Sequence, residues 1–121
     1  MFRAAEEDLE RAAALAASTR EDLVIANVRR GRGDLEKAHG RYTRAKHHLQ
    51  VAEILFKQIP DSHGLADALV SLADIAVEEG QPRLALDLIA EAAKAAKAAQ
   101  YEDALKRIEK LRRWIEYPRR D

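Results

Sequence analysis

The side chains able to do acid–base, nucleophilic or metal chemistry are few and poorly grouped. The histidines are His39, His47, His48 and His63. His47 and His48 are adjacent, so on a helix they point about 100° apart, and no histidine pair at i, i+4 with a carboxylate occurs. That spacing makes no zinc site. Ser18, Ser62 and Ser71 stand in no nucleophile motif, and the chain has no cysteine, hence no thiolate chemistry and no disulfide. Gly31-Arg32-Gly33 has no strand before it, so it does not read as a phosphate loop. The sequence predicts a non-catalytic chain without metal or cofactor.

Charge is the more informative chemistry. Lys+Arg and Asp+Glu are both 21, so the net charge is zero. A nucleic-acid binder usually carries a basic excess. The run Arg29-Arg30-Gly31-Arg32-Gly33 therefore reads as a solvated helix face rather than an RNA-binding segment. The charges are unevenly placed, however. Residues 29–48 carry Arg29, Arg30, Arg32, Lys37, Arg41, Arg44 and Lys46 against Asp34 and Glu36. Residues 61–91 carry Asp61, Asp67, Asp74, Glu78, Glu79, Asp87 and Glu91 against Arg83. Such polarity steers partners. No apolar run approaches the ~20 residues of a membrane span, and the acidic, broken N-terminus does not read as a signal peptide. The expectation is a cytoplasmic protein with a protein or peptide partner, no nucleic acid and no membrane.

The elements that must position these charges are helices. Alanine supplies about one residue in five and is the best helix former, and no period-two run of β-branched or aromatic residues occurs. Six helices are predicted. The first, 3–17, has Leu9, Ala12, Ala13 and Ala16 on one face with Leu15 at its flank. Ser18 and Thr19 ahead of Glu21 and Asp22 predict a new helix start for the second, 20–39, which stops at Gly40. The third, 41–59, has the stripe Tyr42, Ala45, Leu49, Ala52, Leu55, Phe56 and Ile59. Pro60-Asp61-Ser62-His63-Gly64 reads as a loop. The fourth, 65–79, carries Leu65, Leu69, Leu72, Ala73 and Ala76 and stops at Gly80. Pro82 opens the fifth, 82–98, with Ala85, Leu88, Ile89, Ala92 and Ala96. The sixth, 101–117, carries Tyr101, Leu105, Ile108, Leu111 and Ile115 and is closed by Pro118. The tail Arg119-Arg120-Asp121 is expected to fray.

These helices repeat every 40 residues. Ala5, Ala45 and Ala85 are one repeat apart, as are Leu9, Leu49 and Ile89, and Ala12, Ala52 and Ala92. Gly40 and Gly80 keep the same register. A fixed period of this length predicts stacked helix pairs. Small residues where helices would cross, Ala45, Ala52, Ala73, Ala76, Ala85 and Ala92, predict close approach.

On Leu69, Leu72, Ala73, Ala76, Gly80, Ala85, Ile89 and Ala92, and on Gly40, Tyr42, Ala45, Leu49 and Ala52 in the copy before, the chain resembles the tetratricopeptide repeat (TPR). The 40-residue period is longer than the usual 34. It is similar to that of the helical regions of bacterial signal-transduction ATPases and maltose-activator-type transcription regulators. The resemblance implies an all-α fold, an α-α superhelix of about six helices in one domain, 1–121. Its units would be a partial 1–19, then 20–60, 61–99 and a capping helix 100–117. One copy departs from the pattern: Arg29, Arg32 and Glu36 occupy slots that are apolar in the next copy, so either that helix is shifted in register or those side chains pair or snorkel.

In such arrays the first helix of each pair lines a concave groove. The implied groove residues are Asn27, Arg30, Asp34 and Lys37, then Asp67, Val70, Asp74 and Glu78, then Lys106, Lys110 and Arg113, with Asp103 beside them. The groove would run basic, acidic, basic. The implied role is a non-catalytic protein-interaction module or adaptor, either free-standing or part of a larger regulator. The alternative is a regulatory sensor binding a peptide or small effector. A homodimer through a terminal helix is also expected, because Phe2, Ala5 and Leu9 at one end and Trp114, Ile115 and Tyr117 at the other lack a covering unit.

Overall fold

Helix starts recur every 20 residues: Tyr42, Ser62, Pro82 and Glu102 open the last four helices. The computed structural model describes the backbone of residues 2–117 and the side chains of residues 19–117. It contains α1 (Phe2–Ala38), α2 (Tyr42–Gln58), α3 (Ser62–Glu78), α4 (Pro82–Ala98) and α5 (Glu102–Glu116), with no strand among the described residues. The spacing comes from four like-built turns. In each, a backbone N–H donates to the carbonyl five residues back: Arg41 to Glu36 at 2.9 Å, Asp61 to Phe56 at 2.9 Å, Gln81 to Ala76 at 2.8 Å and Tyr101 to Ala96 at 2.8 Å. This is the Schellman closure, which satisfies carbonyls that a helix end leaves open. Gly40 and Gly80 take φ of 73° in it, and Gln100 takes 53° despite having a Cβ. Pro60 occupies the same slot with φ held negative by its ring.

Two sequence expectations are corrected here. Five helices stand where six were predicted, because α1 runs unbroken through Ser18 and Thr19. Those residues favour a helix start, but Arg20 does not take the left-handed conformation that Gly40, Gly80 and Gln100 take where the chain turns. The predicted loop 60–64 is also shorter. Asp61 Oδ1 accepts a hydrogen bond from Gly64 N at 3.0 Å, so α3 is capped and starts at Ser62. Gly64 sits in that first turn because a Cβ there would lie 2.3 Å from Phe56 Cε1. The stripe Leu9, Ala12, Ala13, Ala16 with Leu15, the end residues Phe2 and Ala5, and Pro118 with the tail 119–121 lie outside the residues described to side-chain level.

Each helix packs on the next. In addition α1 touches α3 and α3 touches α5, whereas α2 and α4 do not approach one another. The odd helices thus form one row and the even helices another. α3 is central: Ala66, Ala68, Leu69, Val70, Leu72, Ala73, Ile75 and Ala76 are all buried. One side of it, Ala66, Leu69, Val70 and Ala73, joins Ile89, Ala92, Ala95 and Ala96 of α4 and Ala104 and Ile108 of α5. The other side meets α2, through Ala68 with Ala52 and Phe56, and through Leu72 and Ile75 with Ala45 and Leu49. The small residues predicted at crossings, Ala45, Ala52, Ala73, Ala76, Ala85 and Ala92, are all buried.

The aberrant copy in α1 keeps its register. A Cβ on Gly33 would lie 2.6 Å from Leu49 Cγ and 3.3 Å from the Ala45 carbonyl oxygen, so Gly33 fills the slot of Ala73 with even less room. The charged residues are accommodated by pairing. Arg29 Nη1 donates to His48 Nδ1 at 3.2 Å, Glu36 holds Arg41 at 3.3 Å, and Arg32 is exposed.

Candidate functional site

The polar side chains of the odd row form a ladder across three helices. Ser71 Oγ on α3 donates to Asp34 Oδ1 on α1 at 2.7 Å, and Asp34 also pairs with Arg30 at 3.6 Å. Lys37 Nζ on α1 reaches Asp74 Oδ2 on α3 at 3.1 Å, and Arg107 Nη2 on α5 reaches the same oxygen at 2.6 Å. Asp67 Oδ1 on α3 accepts from the Tyr101 hydroxyl at 2.9 Å. His63 Nδ1 lies 3.6 Å from Asp67 Oδ2, and its ring stacks on Tyr101 with centroids 3.8 Å apart. Burial first, and then the hydrogen bond to Asp67, raise the Tyr101 phenol above its ordinary range. Each of these bonds needs a polar residue one turn from a buried one, which the helical period supplies.

Two pairs of predicted groove residues therefore meet, Arg30 with Asp34 and Lys37 with Asp74, while Asp67 takes Tyr101 from outside the predicted set. They meet as partners of one another, so the expected basic–acidic–basic banding is partly neutralised inside the array. Val70 does not face outward. It is 2 % exposed and lies in the core between α3, α4 and α5, because it falls on the same side as Leu69 and Ala73. Asn27 and Glu78 are exposed.

Lys106, Lys110 and Arg113 are exposed on another side of α5. One repeat back, their slots and that of Glu109 are Ala66, Val70, Ala73 and Leu69, the side of α3 that receives α4. They form the outer face of the last helix, where Arg112 and Arg113 bond Glu109. The hydrogen bond from Arg112 holds the Glu109 carboxyl below its usual range.

The side of α5 that joins the row is instead Arg107, Leu111 and Trp114. Sequence reading left Arg107 and Leu111 out of the groove, together with Ser71, Tyr101 and Tyr42, and took Trp114, with Tyr117, either as a contact aromatic or as a cap on the last helix. The repeat itself marks them, since Asn27, Asp67 and Arg107, and Asp34, Asp74 and Trp114, are one period apart. Lys37, Tyr42, Asp74, Val77, Glu78, Leu111 and Trp114 line a cleft of about 390 Å³ at one end of the row. Trp114 is 51 % exposed, and among the described residues Glu78 forms no ion pair. The cleft offers an aromatic wall, apolar sides and a carboxylate, a set that suits a cationic side chain with an aliphatic stem.

No group of three His, Cys, Asp or Glu side chains that could hold a metal ion occurs among the described residues. No helix among them is long and apolar enough to cross a membrane. No family model matches the chain, and no curated protein or solved structure matches it.

Proposed function

We propose that this chain is a non-catalytic, cytoplasmic protein-interaction module: a tetratricopeptide-like array whose odd helices present the binding face. The observation that carries this reading is the cleft between α1, α3 and α5 with Trp114, Tyr42 and Glu78 on its wall. Ladder bonds hold the three helices in fixed relation, so the face is pre-organised and costs little ordering on binding. The partner is an extended or helical peptide that places a lysine or arginine against Glu78 and Trp114.

A displayed random-peptide library panned on the chain tests this. Enriched peptides should carry a basic residue next to apolar ones, and Glu78→Lys or Trp114→Ala should weaken them at least about tenfold, the size of a hot-spot loss. Binders indifferent to both changes would overturn the assignment. The cleft is also of the size of small-molecule sites, which favours a second reading, a sensor for a small cationic effector. Thermal stabilisation by a free guanidinium or amine compound, abolished in Glu78→Lys, would single out that reading.

A further inference from the structure

The outer side of α1 and the inner side of α3 occupy the same register but opposite environments. On α3, Leu65, Ala68, Leu72 and Ile75 are the residues that α2 covers, and Ala68 and Ile75 are fully buried. One repeat earlier these slots are Ile25, Val28, Arg32 and Leu35. Ile25 is 47 % exposed, Val28 48 % and Leu35 58 %, and Val24 beside them is also exposed. An apolar stripe of this length on a helix face calls for a cover.

The repeat also names the cover. The α2 residues that seat on α3 are Ala45, Leu49, Ala52 and Phe56. One repeat earlier the sequence reads Ala5, Leu9, Ala12 and Ala16. The corresponding series in α4 is Ala85, Ile89, Ala92 and Ala96, all buried, so a small residue in the last slot is already tolerated by the array. Residues 2–18 thus carry the pattern of a covering helix for residues 22–38. In the structure they continue α1 as one helix and so do not reach that seat.

We propose that the exposed face of α1 formed by Ile25, Val28 and Leu35 is the seat of this chain's own segment 2–18. The segment takes it when α1 breaks at residues 18–21 and folds back as an antiparallel hairpin. The break falls where the 20-residue spacing of helix starts places a turn, since Glu21 and Asp22 stand one interval before Arg41 and Tyr42. Ser18 and Thr19 supply cap-type residues for a new helix start, and Glu21 and Asp22 supply acids for its first turn. No Gly or Pro stands at this turn, but none stands at the Gln100 turn either, and that one closes, which leaves the continuous and the folded-back helix as two states of one segment. Closing hides the stripe and opening presents it, independently of the cleft beside Trp114. The proposal does not rest on what that cleft binds.

The chain has no cysteine, so a disulfide can report the two states. In a continuous helix, residues 5 and 35 are roughly 45 Å apart at 1.5 Å per residue, while a disulfide needs Cα atoms about 4.4–6.8 Å apart. In the folded-back form they sit like Ala45 and Ile75, which share one cluster. The double variant Ala5→Cys, Leu35→Cys should therefore oxidise to an internally linked species of single-chain mass. Adding Arg20→Gly, which puts glycine in the slot that Gly40 and Gly80 hold, should speed formation about fourfold by weakening the continuous helix. Adding Val28→Lys, which charges the seat, should cut the yield about tenfold, with helical ellipticity checked on each variant. Absence of the disulfide, linkage only between two chains, or a rate indifferent to both added changes would overturn the proposal.

Discussion

α1 and α3 are the same helix of the repeat in two situations. α3 has neighbours on both sides and is filled with Ala66, Leu69, Val70, Ala73 and Ile75. Over residues 19–38, α1 packs on α2 through Ala26 and Gly33 and leaves Val24, Ile25, Val28 and Leu35 in solvent. Slots that hold Leu69 and Leu72 in α3 hold Arg29 and Arg32 in α1. Position in the stack, not helix propensity, decides which copy must be apolar, because each unit buries its face only against a neighbour.

The largest difference between the two helices is expected at Leu72. Leu72→Ala should cost about 2–5 kcal/mol, as for a buried leucine, while Arg32→Ala in the same slot of α1 should change stability by no more than about 0.5 kcal/mol. Equal denaturation midpoints for the two variants would erase the distinction between the copies.

Next come two glycines on one helix. Gly33→Ala forces a methyl onto Leu49 and the Ala45 carbonyl and should destabilise, since overpacking costs roughly 1–3 kcal/mol against the ~1 kcal/mol that alanine gains in a helix. Nothing lies within 4 Å of a Cβ on Gly31, so Gly31→Ala should stabilise by about 0.5–1 kcal/mol. Urea titrations that move both midpoints in one direction would refute the α1–α2 register.

A gain of similar size is expected at the last turn. Gln100 takes the left-handed conformation that glycine takes at residues 40 and 80, so Gln100→Gly should raise stability by about 1 kcal/mol. A lower melting temperature for this variant would show that the Gln100 side chain contributes more than its backbone costs.

The smallest effect is one of pH. Burial first, then the facing Arg29, neighbouring His47 and Arg32, lower the His48 imidazole below its ordinary 6.5, with Glu36 opposing. The folded state then binds fewer protons than the unfolded chain near that pH, so stability is level above 6.5 and declines as pH falls through it. His48→Gln should flatten the stability curve between about pH 7.5 and about pH 5.5. An unchanged slope would mean that the Arg29–His48 contact does not bias the proton.

Much of this was legible before any coordinates. The glycines at 40 and 80, Pro82 and the 40-residue recurrence of Ala45 and Ala85 locate α2, α3 and α4 to within a few residues, because turn chemistry and helix crossings use residue types that little else requires. The unbroken α1 was not legible. Ser18 and Thr19 carry a start signal, but a helix ends only when something also stops it. Half of the candidate site escaped for a different reason. Arg107 and Trp114 stand one period from Asp67 and Asp74, whereas the face read for the last helix lay one residue off, and on a helix one residue is a turn of about 100°. Ladder bonds such as Ser71 to Asp34 depend on the distance between non-adjacent helices, which no local pattern encodes.

The charged outer face of α5 has a consequence for assembly. A stack of like units with two apolar ends would add copies head to tail without limit, since an interface that does not close on itself generates fibres. Lys106, Glu109, Lys110 and Arg113 stand where the equivalent residues of α3 would welcome another helix. Docking there would strip water from ammonium and guanidinium groups, a cost that Leu105 and the aliphatic stems beside it offset only in part. Among the described residues, this face of α5 is a poor seat for a further apolar helix.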